Sequence, residues 1–156
     1  DVFDLAYARF ILQHLPNPTK MLIEAKRILK PGGKLIVMDS DDSLFHITPY
    51  HKEMAEFLSE ASKGQIKYGG DRNIGHKIPC MLHDAGYTNI NTSVYTFTSK
   101  NISSHEFLDI TTKFKIDLLD ASLKEWGASI INEIYRKSED GSFFGSSGVY
   151  CVVAEK

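Results

Sequence analysis

Phe3-Asp4-Leu5-Ala6-Tyr7-Ala8 and Arg9-Phe10-Ile11-Leu12-Gln13-His14-Leu15, then Arg27-Ile28-Leu29-Lys30-Pro31-Gly32-Gly33 and Leu35-Ile36-Val37-Met38-Asp39, are the segments whose reading decides the fold. Phe3 to Ala8 is a short, mostly apolar run of the kind expected of a strand covered on both faces. Pro16-Asn17-Pro18 closes the next segment, with Asn17 placed as a helix N-cap and Pro18 at the first helical position. Met21, Leu22, Ala25, Ile28 and Leu29 then form one apolar stripe at helical spacing. Pro31-Gly32-Gly33 is expected to stop that helix, since proline removes a donor and glycine permits the turn. Leu35 to Met38, ending at Asp39, reads as a parallel strand. Strand, helix and strand over about 35 residues make a βαβ unit. Ligands in such sheets bind at the carboxyl ends of the strands, which puts residues 8–14 and 39–50 on one rim.

Working outward, Pro49 is expected to open a helix carrying Met54, Phe57, Leu58 and Ala61 on one face. A glycine-dotted loop over 64–70 leads to a second helix with Ile74, Ile78, Met81, Leu82 and Ala85, kinked at Pro79 and capped by Gly86. Residues 89–98, rich in Thr, Val, Tyr and Phe, read as a strand. Ser103-x-x-Glu106 and Ser122-x-x-Glu125 have the form of capping boxes opening two more helices. Phe107, Ile110, Phe114 and Leu118 are assigned to the inner face of the first, and Leu123, Trp126, Ile130 and Ile134 to that of the second. Residues 138–148 read as a polar loop and 149–154 as a last strand.

The 156 residues suit one domain, and a formal net charge of −2 gives no basic surface for nucleic acid or an anionic membrane. Lys26, Arg27, Lys30 and Lys34 surround a helix end, where cations complement the carbonyl dipole. No apolar run reaches the roughly 20 residues a bilayer span needs. The two cysteines, Cys80 and Cys151, lack metal-like spacing and read as reduced core thiols of a cytoplasmic protein.

The run Phe3-Asp4-Leu5 through Leu12-Gln13-His14-Leu15, followed by Arg27-Ile28-Leu29-Lys30-Pro31-Gly32-Gly33 and an apolar strand ending in Asp39, resembles class I S-adenosylmethionine-dependent methyltransferases. The likeness is to the branch that includes ubiquinone and menaquinone biosynthesis enzymes. Asp84-Ala85-Gly86-Tyr87 before a strand also fits. The resemblance implies an α/β, Rossmann-like methyltransferase sheet that is incomplete: strands four to seven with flanking and inserted helices. Residues 1–156 would form the C-terminal part of a single domain, with helical insertions at about 48–63 and 103–137. No Gly-x-Gly occurs, so the glycine-rich cofactor turn of the family is not found. The family's fourth strand lies beside its first, so Phe3 to Ala8 is expected to leave an edge that an upstream half, a completing chain or a second copy would cover.

The implied activity of the intact parent is methyl transfer from S-adenosylmethionine to a small molecule, this chain alone being inactive. The alternative is a noncatalytic partner or regulatory subunit that completes another methyltransferase. In-line methyl transfer rests mostly on alignment of donor and acceptor, and needs a base only when the acceptor must lose a proton. The resemblance places Ala8, Arg9, Phe10, Gln13 and His14 against the cofactor. Arg9 either contacts the cofactor carboxylate or is a solvated rim charge. His14 is either a structural residue or the one candidate for proton transfer. Asp39, Asp41, His46 and Tyr50 are assigned to the substrate side, with His51 beside them. Asp4 reads as structural. The aspartates 39, 41 and 42 suit turns better than a metal, and His76 with His83 lacks further ligands, so no metal is expected. Met54, Phe57, Leu58, Phe107, Phe114 and Trp126 either line an apolar cavity or are simply core.

Overall fold

The computed structural model describes residues 1–139 and 141–156, which divide into two compact units. The first comprises residues 1–41, 68–95 and 149–156; the second comprises 42–67 and 96–148.

In the first unit, β1 (Phe3–Arg9) is followed by a 3-10 turn at Leu12–His14, then α1 (Pro18–Ile28) and β2 (Leu29–Ser40). Asn17 accepts a hydrogen bond from the Lys20 backbone at 3.1 Å, so the expected N-cap is present. β1 and β2 are parallel, with Leu5 opposite Lys34 and Arg9 opposite Met38. The helix ends at Ile28, before Pro31, and Lys30-Pro31-Gly32-Gly33 belongs to β2 rather than to a helix stop. There the pairing shifts register between Phe3 and Leu5. Gly32 has φ +76°, and a Cβ on Gly33 would lie 2.9 Å from the Lys30 carbonyl and 3.2 Å from that of Phe3. The glycines therefore let β2 bulge tightly against β1.

A 3-10 turn at Gly75–Lys77 leads into α3 (Ile78–Asp84), which follows α2 (Lys52–Lys67, in the second unit) in the chain. Pro79 sits in the first turn of α3, where its missing N–H costs nothing, instead of kinking a longer helix. Gly86, φ +80°, ends the helix as expected. β4 (Thr88–Thr98) and β5 (Phe144–Glu155) run from one unit into the other. β2 pairs antiparallel with β5 from Lys34–Glu155 to Ser40–Val149, and β4 pairs with β5. The sheet is thus parallel between β1 and β2 and antiparallel between β2 and β5, and β4 joins it at β5. Leu12, Leu22, Leu29, Leu35, Val37, Ile78, Leu82 and Val152 fill the core. β1 is not covered on both faces: Ala8 is buried, while Phe3, Leu5 and Tyr7 are more than half exposed. Cys80 is exposed and not a core thiol.

In the second unit, β3 (His46–Thr48) pairs antiparallel with residues 144–146 of β5. The expected loop over 138–148 therefore already contains strand; Ser99 and Gly145 exchange two hydrogen bonds, at 2.8 and 2.9 Å, that hold it. α2 (Lys52–Lys67) starts three residues after Pro49 and runs straight through Gly64. α4 (Ser104–Thr111) has the Ser103 cap, which accepts from the Glu106 backbone at 3.1 Å. A 3-10 segment, Lys113–Leu118, follows it, and Ile110 and Phe114 point to solvent rather than inward. α5 (Lys124–Ser138) lacks a Ser122 cap, because Ser122 lies inside the preceding 3-10 turn. Phe57, Phe107, Leu108, Ile130, Ile131 and Ile134 form its core. Among the described residues no helix is long and apolar enough to cross a membrane.

Candidate functional site

The rim of the first unit is built on the carboxyl ends of β1 and β2. Ala8 is buried, and Arg9 and Phe10 follow it outward. Phe10 has φ +53°, a left-handed conformation that costs an aromatic residue on the order of 1 kcal/mol. The Phe10 N–H donates to the Met38 carbonyl at 2.8 Å, which holds the turn in place. The Arg9 guanidinium lies 4.9 Å from the Phe10 ring centroid, so a cation and an aromatic face are presented together.

Leu12 then plugs the core and turns the chain into the 3-10 segment. The buried carboxylate of Asp39 accepts from the Gln13 backbone at 3.3 Å and from the Ser40 backbone at 2.9 Å. Burial pushes the Asp39 pKa above the usual carboxylate value, against the opposing pull of those backbone donors and of His14. The Gln13 side-chain oxygen accepts from Ser40 Oγ at 2.9 Å and from Arg72 at 2.5 Å, and its backbone carbonyl accepts from Asp71 at 2.9 Å. Asp41, also buried, accepts from the His76 backbone at 2.9 Å and lies 2.7 Å from its Nδ1. Gln13, Asp39 and Asp41 are thus anchors of the rim; Arg9, Phe10 and His14 are the candidates that face solvent.

Arg72 was not among the residues singled out by sequence. It sits in a glycine-dotted loop with no apolar period, and only its burial and its bond to Gln13 reveal the role. Asp4 forms an exposed ion pair with Lys30 at 2.9 Å. His76 and His83 lie in different elements, one on Asp41 and the other exposed beside Asp84. Lys26 donates to the Ala85 and Gly86 carbonyls at the end of α3, not of α1, and Arg27 pairs with Glu24, so these two cations do not cap the helix they belong to. No group of three His, Cys, Asp or Glu able to hold a metal occurs among the described residues.

In the second unit His46 and Tyr50 line an apolar pocket of about 140 Å³ together with Phe45, Ile47, His51, Met54, Ala55 and Leu58. Of the apolar residues weighed between cavity and core, Met54 and Leu58 border this pocket, whereas Phe57 and Phe107 are fully packed core. Asp42 pairs with the buried Lys115 at 3.1 Å.

Residues 1–37 match the Methyltransferase domain family. Over 54 residues the chain is 44% identical to sterol 4-C-methyltransferase strm-1 of Caenorhabditis elegans, covering 35% of this chain and 15% of that protein. The YcgJ protein of Bacillus subtilis superposes with a TM-score of 0.58 at 12% identity, covering all of this chain and 64% of that one. Phosphoethanolamine N-methyltransferase 2 of Haemonchus contortus, solved with phosphomonomethylethanolamine and S-adenosylhomocysteine, superposes at 0.50 and 16% identity, over 99% of this chain and 33% of that one. The chain spans less than two thirds of each of these proteins. Their shared architecture identifies the fold as an open, Rossmann-like α/β sheet.

Proposed function

We propose that the protein carrying this chain, which resembles the class I S-adenosylmethionine-dependent methyltransferases and has their fold, transfers a methyl group from S-adenosylmethionine to a small-molecule acceptor. The observation that carries this reading is the turn after β1. A buried Ala8 lets backbone approach a ligand, and Phe10 is fixed in a left-handed conformation with Arg9 beside it. Beneath them Asp39 and Gln13 hold the loop rigid. The cofactor brings a methyl already activated on a sulfonium. For their part, Arg9 suits its carboxylate, the Phe10 ring offers a π face to a cation, and His14 is the candidate to accept a proton where the acceptor must lose one. These groups fit the amino-acid end of the cofactor. His46 and Tyr50 are the acceptor-recognition candidates, Asp39 and Asp41 acting from within the fold.

The cofactor's remaining contacts belong in this reading to sheet beyond β1. β1 pairs only with β2 among the described strands, and Val2, Phe3, Leu5 and Tyr7 are each more than half exposed. Further strands of the same protein would bury that surface. The same surface favours a second reading, a noncatalytic chain that completes another methyltransferase. Calorimetric titration of S-adenosylhomocysteine into this chain, and into the protein with its sheet completed, separates the two. The first reading expects binding by the completed protein and a loss of about tenfold for Arg9→Ala, roughly one charged hydrogen bond. Absence of binding by the completed protein refutes it.

A further inference from the structure

One buried carboxylate fixes a histidine at the carboxyl end of β2. Asp41 is the residue after Ser40, and its Oδ2 accepts the His76 backbone N–H at 2.9 Å and meets the ring Nδ1 at 2.7 Å. A carboxylate has no proton to give, so Nδ1 is the donor and the ring's lone pair lies on Nε2. The Asp41 side chain is wholly buried while that of His76 is 50% exposed, so the half of the imidazole in solvent is the edge that carries Nε2. A proton acceptor is thereby presented outward, with its orientation set from within the core.

The backbone beneath it is held as closely. A Cβ on Gly75 would fall 2.6 Å from Tyr150 Cδ2 and 3.1 Å from the Ser40 carbonyl oxygen, so the turn bearing His76 lies directly on the end of β2. Earlier in the same segment the Asp71 N–H donates to the Gln13 carbonyl at 2.9 Å, and Lys77 pairs with Asp71 at 2.6 Å. Residues 71–77 are thus tied to the turn after β1, and His76 shares its rim with Arg9, Phe10 and His14. A carboxylate behind an imidazole holds its tautomer and stabilises the imidazolium that forms when the outer nitrogen takes a proton. We propose that Asp41 and His76 form a general-base pair, His76 the proton acceptor and Asp41 the positioning residue, serving a methyl acceptor whose hydroxyl, thiol or N–H group must shed a proton. That use rests on the proposed function; the pair itself does not. In it the acceptor's heteroatom bonds to the methyl carbon as the sulfonium–carbon bond breaks, sulfur keeps that electron pair, and the heteroatom's proton passes to Nε2 of His76.

Two readouts on the full chain test the pair without a substrate. Nitrogen-15 NMR of the neutral imidazoles, with His76 identified by its loss in His76→Gln, is expected to find the proton on Nδ1. Diethyl pyrocarbonate at pH 8, followed by peptide mass spectrometry, reads the reactivity of Nε2. His83 is the internal reference, because its Nδ1 lies 3.3 Å from Asp84 with both side chains largely in solvent. His76 is expected to react about tenfold faster than His83 although it is less exposed, and Asp41→Asn to remove that difference while His83 stays unchanged. A proton on Nε2, equal rates in the unaltered chain, or a His76 rate unmoved by Asp41→Asn would each overturn the pair; the first two decide where Asp41→Asn does not fold. In the completed protein with S-adenosylhomocysteine bound, His76 should stay reactive, since the acceptor side is open, and shielding there would overturn its role as the acceptor's base. Failure of the completed protein to bind S-adenosylhomocysteine, with the His76 reactivity intact, would count against methyl transfer alone.

Discussion

The carboxylate of Asp39, at the end of β2, accepts a hydrogen bond at 3.3 Å from the backbone N–H of Gln13, in the turn after β1. Because Ser40 donates to the same carboxylate at 2.9 Å, one buried side chain ties together the ends of the two parallel strands. Asp39→Ala strands these donors in the core and is expected to lower stability by about 3 kcal/mol in urea unfolding.

The pH dependence of that residue has a definite sign. Burial raises its folded pKa above the ordinary 3.8, so the folded state keeps the proton to higher pH than the unfolded chain does. Its contribution is complete below 3.8 and is lost as pH rises through the raised folded value. Asp39→Asn cannot ionise. Relative to it, the unaltered protein is expected to lose stability as pH is raised from 3.8, and parallel stability curves for the two would contradict this.

What was legible in the sequence was local. The N-cap at Asn17, the Gly86 helix end and the apolar strands flanking α1 follow from spacing over a few residues. Polar pairs far apart in sequence left no such trace: Gln13 with Arg72, and Asp41 with His76, meet only through the fold. Pro79 shows a subtler failure, because the same missing N–H that would kink a helix is harmless in its first turn. The start of β5 was missed because Ser99 and the packing of Phe107 against Gly145, not β-propensity, define it.

Gly64 gives a prediction of opposite sign from sequence and structure. Replacing a mid-helix glycine by alanine ordinarily adds about 1 kcal/mol of helix stability. Here a Cβ would fall 1.7 Å from the Leu118 carbonyl oxygen, a backbone atom that cannot swing aside. Gly64→Ala is therefore expected to destabilise by about 3 kcal/mol or more, read as a lowered denaturation midpoint. A raised midpoint would mean that α2 and the 113–118 segment do not pack this closely.

Tyr87 reports on the α1–β4 side of the first unit. Its hydroxyl donates to the Leu22 carbonyl at 3.0 Å, and burial pushes its pKa from 10.0 to about 12. The folded state resists ionisation, so this group's contribution is complete below pH 10 and is lost as pH climbs through 12. Tyr87→Phe should cost about 1 kcal/mol at neutral pH, the usual net worth of one hydrogen bond, and should flatten the alkaline decline. Spectrophotometric titration of the tyrosines provides the direct check.

The outward face of β1 tests the idea that more sheet belongs beside it. Leu5 is 54% exposed and Tyr7 55%, on a strand with one described neighbour, so both apolar surface and unpaired backbone are available to another chain. The isolated chain is expected to self-associate in sedimentation velocity. Leu5→Lys with Tyr7→Lys should return it to monomer by placing like charges on the edge. Since both side chains already sit in water, the exchange should move the unfolding midpoint little, by about 0.5 kcal/mol or less per site. That separates an association surface from a folding defect: a drop in stability would mean the two residues serve this chain's own core. A monomeric, monodisperse unaltered chain would mean that the β1 edge needs no neighbour, and the case for a completing half-sheet would go with it.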